Sequence, residues 1–245
     1  TDRYTVGDNS TTLNFHAAHV TGTIMAAGID PDAKGMAPHS FVNGYDWTDD
    51  YTEATGAAQD GMLISNHSYG FDSSNLPDVY FGAYIGESKK WDDLHYYAPY
   101  YLMVVAAGND GNTSDNDTPI NPDHPEYDKL TGHSTSKNNL VVANAQDATI
   151  NADGSLSSVT INSSSSQGPT NDLRIKPDIT GNGTGVYSTY ELSDTDYSSI
   201  TGTSMASPNV AGSLLLLQEH SDNLTGAYLR SATLKGLALH TADDA

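Results

Sequence analysis

A chain of 245 residues with 31 Asp and Glu against 10 Lys and Arg carries a formal charge of −21 and no cysteine. That balance argues against nucleic acid and anionic membrane surfaces as partners, since both reward basic patches, and it leaves neither a disulfide framework nor a thiolate metal site. The length suits one domain, residues 1–245, whose core needs no staples, and no apolar run approaches membrane-spanning length.

The opening "TDRYTVGDNS" has neither the basic start nor the apolar stretch of a signal peptide. A helix is expected over "HAAHVTGTIMAAG" (16–28), then a strand over "SFVNGY" (40–45), a helix over "TEATGAAQD" (52–60) and a strand over "MLISN" (62–66). "FGAYIGESKKWDDLHYY" (81–97) reads as a further helix, with strands at "LMVVAA" (102–107), "LVVANA" (140–145) and, more weakly, "GVYSTY" (185–190). The Asp- and Pro-rich span 110–128 reads as a surface loop, and 151–172 as turns with at most one strand. "SLLLLQEH", after "TGTSMASPNVAG", is an apolar run suited to a buried helix. Alternating strands and crossover-length helices predict an α/β fold, a doubly wound, mostly parallel sheet with helices on both faces. Ligands of such sheets sit at the carboxyl ends of the strands, where "NHSYGF" and "GNDG" leave the sheet.

Three short segments could carry chemistry. In "NFHAAHVTGT", His16 and His19 lie one turn apart on one helix face, which fits a metal pair, a core histidine, or one base with a neighbour. Ala17 and the i+3 spacing fail the zinc-protease pattern. Asn109 ends a strand, where an Asx turn and an oxyanion donor are alternatives. Ser204 opens a helix, as a capping hydroxyl would, yet free backbone donors and the positive dipole end also suit a nucleophile that generates an oxyanion. Pro208 is placed in the first turn of that helix.

Together, "HAAHVTGT", "AAGNDG" and "GTSMASPNVAG" resemble the subtilisin-like serine peptidases in order and spacing. "GMAPHS" (35–40), "NHSYG" and "SSQGPTNDLRIKPDIT" (165–180) extend that likeness over all but about the first seven residues. The resemblance implies His16 as general base, Asn109 as oxyanion donor, Ser204 as nucleophile and Ser68-Tyr69-Gly70 as the edge along which substrate backbone pairs. It further implies a polypeptide substrate, no cofactor for the chemistry, a monomer, and a secreted or extracellular setting. A carboxylate-based sedolisin is disfavoured by His16 in its matching motif.

Ala17 and Ala18 stand where the family usually has Gly and Thr, Asn209 where it has His, and "ITGNGTG" (179–185) where it has an Ala-Pro-Gly turn. The larger departure concerns the triad aspartate, which the family places upstream of the histidine at a strand end. Only Asp2 and Asp8 precede His16, neither after an apolar strand, so neither is assigned. The resemblance therefore implies a partial domain lacking the first strand and a closing segment, with a catalytically inactive pseudoprotease or binding module of the same fold as the alternative. Structural calcium is a further expectation, from Asp115, Asp117, Asp123, Glu126 and Asp128 in the acidic loop, with no ligand set specified.

Overall fold

The computed structural model describes residues 2–244. Ten strands and five helices follow one another: β1 (Tyr4–Val6), α1 (Phe15–Met25), β2 (Val42–Gly44), α2 (Asp50–Gln59), β3 (Ile64–His67), α3 (Gly86–Tyr97), β4 (Leu102–Ala106), β5 (Leu140–Ala145), β6 (Thr149–Ile150), β7 (Leu156–Ser158), β8 (Ile179–Asn182), β9 (Val186–Thr189), β10 (Tyr197–Ile200), α4 (Thr203–Thr225) and α5 (Ser231–Thr241). β3, β4, β5 and β8 form a parallel sheet in that order. β1 pairs with β2 in a separate parallel ribbon, and the hairpins β6–β7 and β9–β10 are antiparallel.

β4 and β5 are buried on both faces, as continuous apolar runs in a covered parallel sheet require. Their side chains divide by the strand period. Leu102, Val104, Leu140 and Val142 meet Ala206, Val210, Ala211 and Leu214 of α4 and Leu234 of α5. On the opposite face Met103, Val105 and Val141 meet Ala54 of α2 and Trp91 and Leu94 of α3. The α4 contacts recur at i, i+4, i+5 and i+8, the stripe of a helix with one face in the core. The sheet is thus wound on both sides, as the alternation of elements predicts.

Details differ from expectation where the chain's own pattern is weak. α1 stops at Met25, three residues short of Gly28, and α3 starts only at Gly86, because the chain before it leaves the helical path at Gly82, with φ +65°, and is extended at Ile85. The span 151–172 contributes one strand, β7, which completes a hairpin with β6. In "ITGNGTG" both Gly181 and Gly183 face α4: a Cβ on Gly181 would lie 2.8 Å from Val210, and one on Gly183 2.6 Å from the Gly202 carbonyl. That turn therefore lets β8 approach the helix that carries Ser204.

The two parallel sheets do not join. Among the described residues β2 is bonded on one edge only, to β1, and β3 on one edge only, to β4. Between the other edges lies an open cavity of ≈ 1990 Å³, walled by Val20 and Ile24 of α1, Ala211 and Leu215 of α4, and Ala54 and Ala57 of α2. It extends past Asn66, His67 and Ser68 to His16.

Candidate active site

Ser204 is the second residue of α4, a 23-residue helix, so its hydroxyl stands at a positive dipole end. Pro208 lies inside the helix rather than at its start. Having no N–H, it leaves the Ser204 carbonyl without its i+4 donor, and the Ser68 hydroxyl donates to that carbonyl instead, at 2.8 Å. The Ser204 hydroxyl in turn donates to the Ser68 carbonyl at 3.1 Å. Asn66 strengthens the link, accepting from Ser207 at 2.7 Å and donating to the Ser68 hydroxyl at 3.0 Å. The end of β3 and the start of α4 are thereby stitched together.

Asn109 reaches the same place from the end of β4. Its Oδ1 accepts from the Thr203 backbone N–H at 2.9 Å and the Thr203 hydroxyl at 3.2 Å, which fixes the carboxamide and turns Nδ2 away from Thr203. Among the described residues neither Asn109 Nδ2 nor the Ser204 N–H has a hydrogen-bond partner. Two free donors at one helix N-terminus, beside a serine hydroxyl, are what a tetrahedral oxyanion needs. Gly202 adjoins them: a Cβ there would lie 3.5 Å from Asn109 Oδ1 and 3.6 Å from Nδ2, in the space over the amide.

The two histidines of "HAAH" separate cleanly. His19 is fully buried, with Nε2 2.9 Å from the Val186 carbonyl and 3.1 Å from that of Ser198, so Nε2 carries the proton. Burial pushes its pKa down, and it serves to hold the β9–β10 hairpin on α1. Thr189 and Ser188 add hydrogen bonds to the Ala18 and His19 carbonyls. Gly22 permits that approach, since a Cβ would fall 2.1 Å from the Thr189 hydroxyl. His16 sits in the first turn of α1, where the Asn14 side chain caps the N–H groups of His16 and Ala17 at 2.9 and 3.2 Å. His16 lines the large cavity together with Asn66, His67, Ser68 and Tyr69. Burial, and secondarily the neighbouring His19, lower its pKa and keep the imidazole neutral.

A profile described as "Subtilase family" matches residues 2–245. The chain belongs to the subtilase family. Subtilisin DY of Bacillus licheniformis is 26% identical over 236 residues, covering 89% of this chain and 68% of that protein. A PII-type proteinase of Lactococcus lactis subsp. cremoris is 43% identical over 75 residues, 30% of this chain and 4% of that much longer one. Among solved structures, a cold adapted subtilisin-like serine proteinase superposes with TM-score 0.65 at 20% identity, covering 99% of this chain and 76% of that one. The S41 psychrophilic protease gives 0.66 at 25%, over 96% of this chain and 72% of its own. Fold and family are those of the subtilisin-like serine peptidases.

In this subtilase Ser68, Ser204 and Asn109 are joined through direct bonds and Thr203, whereas His16 enters by the cavity wall. Among the described residues no hydrogen bond or ion pair links the His16 ring to Ser204 or to a carboxylate. The Ser204 hydroxyl, turned to Ser68, needs a rotation about χ1 to meet an imidazole. Asp8 lines the same cavity, but its oxygens accept from the backbone N–H groups of Ser10 and Asp46 and none bonds to the His16 ring. Beyond Ser68, Gly70 has no backbone partner among the described residues, and a Cβ there would meet nothing within 4 Å, while the Tyr69 carbonyl accepts from His133 at 2.9 Å.

The carboxylates of the acidic loop are spread over separate partners. Asp115 accepts from Ser73 and Asp128 from Asn116, Glu126 lies against His124, and among the described residues no three His, Asp or Glu side chains converge on a point that could hold an ion. Sequence reasoning missed Thr203, whose grip on Asn109 spans 94 residues. Its proximity to Ser204 in "GTSM" was the one available signal. Thr203→Val keeps the N–H donor and removes the hydroxyl, which donates to Asn109 and accepts from the Gly108 N–H at 3.2 Å, so it should lower the melting temperature somewhat, loosen the carboxamide and lower kcat about three- to tenfold with KM little changed. Steady-state kinetics on a chromogenic peptide check this.

Proposed function

We propose that this chain is the core of a serine endopeptidase in which Ser204 attacks the peptide carbonyl, His16 takes the hydroxyl proton and returns it to the leaving amine, and Asn109 Nδ2 with the Ser204 N–H receives the oxyanion. The observation that carries this reading is the pair of unpartnered donors beside Ser204, one of them fixed by Thr203. Substrate backbone pairs with the open edge at Ser68-Tyr69-Gly70. The substrate is polypeptide, and the enzyme works outside the cell as a monomer. No described helix is long and apolar enough to cross a membrane.

The triad aspartate belongs, on this reading, to a strand seated in the large cavity. Both bordering strands run parallel with one edge open, and the walls above and below are apolar, so the fitting occupant is a parallel strand apolar on both faces. Running alongside β3, its carboxyl end would arrive beside His16. Residues 1–245 are then one domain that this strand completes. The second reading, a pseudoprotease or binding module, draws on the absence of a carboxylate at His16 among the described residues.

A fluorophosphonate label separates the two. The reaction needs only an activated serine and an oxyanion site, so this chain should label at Ser204 slowly and Ser204→Ala should not label at all. Failure of the chain to label, even when completed by an aspartate-bearing strand, would establish the binding module.

A further inference from the structure

Beside the open edge lies a second recess of ≈ 380 Å³, bounded by Trp47, Asp50, Tyr69, Phe71, Glu87 and His133. Its walls combine aromatic faces with carboxylates. Trp47 is 70% exposed and Phe71 40%, and the Trp47 and Tyr69 rings meet edge to face at 6.2 Å. Glu87 is already engaged, accepting from Trp91 Nε1 at 2.9 Å and pairing with Lys90 at 2.9 Å. Asp50 has no ion-pair partner among the described residues; its oxygens accept from the Tyr51 N–H at 2.6 Å and the Tyr69 hydroxyl at 2.9 Å. His133, buried and holding the Tyr69 carbonyl, is kept neutral by its burial and adds no positive charge.

The wall is held from behind by a chain of hydrogen bonds with one consistent direction. The Tyr101 hydroxyl lies 2.7 Å from Ser65 Oγ, Ser65 Oγ 2.8 Å from His67 Nε2, and His67 Nδ1 2.6 Å from the Tyr69 hydroxyl, which donates to Asp50. A neutral His67 has one proton, on Nδ1, so each donor in the series finds an acceptor. Lys90 shows what such surroundings attract: its ammonium, besides pairing with Glu87, sits 5.3 Å from the Tyr51 ring and 5.7 Å from that of Trp91.

We propose that this recess is a specificity site for a cationic side chain, arginine or lysine, of the polypeptide lying along Gly70, with Asp50 as the charge that selects it and His67 as a positioning residue. The inference rests on the peptidase reading above. Gly70 is two residues beyond Ser68, whose carbonyl holds the nucleophile, or about 7 Å of extended chain. The selected side chain therefore lies two to three residues from the scissile bond. A guanidinium or ammonium there stacks on Trp47 and Phe71 and faces an unneutralised carboxylate. A carboxylate side chain would meet Asp50 and the nearby Asp46 and Asp49.

The test uses the full chain carrying Ser204→Ala and fluorescent peptides that differ only in one position, scanned as arginine, norleucine or glutamate, with binding read by anisotropy. At one position arginine should bind about tenfold tighter than norleucine, with glutamate weakest, and the preference should shrink as salt is raised. Asp50→Asn, which still accepts from Tyr69, should bring the arginine-to-norleucine ratio to within about twofold. His67→Gln should reduce the same ratio. Equal affinities at every position, a preference that survives Asp50→Asn, or no binding by any peptide would overturn the site. Phosphonate labelling keeps the two ideas apart: a labelled chain blind to charge loses the subsite alone, and a chain that selects arginine yet stays unlabelled even when completed by an aspartate-bearing strand loses the peptidase reading alone.

Discussion

Supplying the large cavity with an apolar strand of five or six residues ending in aspartate, fused upstream or added as a peptide, should raise Ser204-dependent turnover about 10⁴-fold. The reason is local to His16. Its pKa is lowered by burial and by His19, with no carboxylate among the described residues to orient the ring or to stabilise the imidazolium formed when Ser204 is deprotonated. An aspartate at the strand's end supplies both. A strand ending in asparagine is the control, because it fills the same backbone edges of β2 and β3 and covers Ile24, Ala54 and Leu215 without the charge. It should improve the melting temperature as much as the aspartate version and leave turnover near the starting level. Equal rates from both versions would mean that the strand acts through folding alone, and no gain in either measurement would remove the strand from the cavity.

Acid should destabilise this protein well above the carboxylate range. His67 is pushed down to about 3, chiefly by burial and further by His133 and His95. His16, His19, His95 and His133 are lowered mainly by burial as well. Each folded pKa lies below its unfolded counterpart near 6.5, so between the two values the unfolded chain binds more protons, and stability falls as pH falls. His67 alone costs about 1.4 kcal/mol per pH unit below about 6.5, hence about 2 kcal/mol by pH 5, which for a chain of this size is a drop of roughly 4–8 °C in Tm. The other four histidines act in the same direction. Carboxylates held low by hydrogen bonds, such as Asp172 at about 2, contribute only at lower pH, and Asp128, raised by burial, opposes the trend only near its own titration. Thermal melts at pH 7.5 and 5.0 read chiefly the histidines, against the smaller opposing contributions of Asp128 and Glu53, whose pKa values burial raises. Identical midpoints would show that they are not held neutral by the fold.

The sheet was legible where strands carry their own signal. β4 and β5 are runs of buried aliphatic side chains, and "LVVANA" matches β5 residue for residue. β1, β8 and β10 were not, since "YTV", "ITGN" and "YSSI" are short and partly polar or glycine-bearing, and they become strands through partners distant in sequence. The site divides the same way. Ser204, His16 and Asn109 stand in recognisable segments, whereas Thr203 on Asn109 and the series from Tyr101 to Asp50 exist only once separate elements are packed. The role of Pro208 was missed because its position in the helix depends on where α4 begins.

That proline has a kinetic consequence. With the Ser204 carbonyl given to the Ser68 hydroxyl, the backbone of Ser204 stays tied to the end of β3 even when its own hydroxyl rotates away, so on the proposed mechanism the edge along which substrate pairs acts as a rail fixed to the start of α4. If Ser204 is the nucleophile, a peptide that sits poorly on that rail disturbs it too, so mismatched sequences should be discriminated in kcat as well as in KM, and binding tightly out of register should inhibit rather than be slowly cleaved.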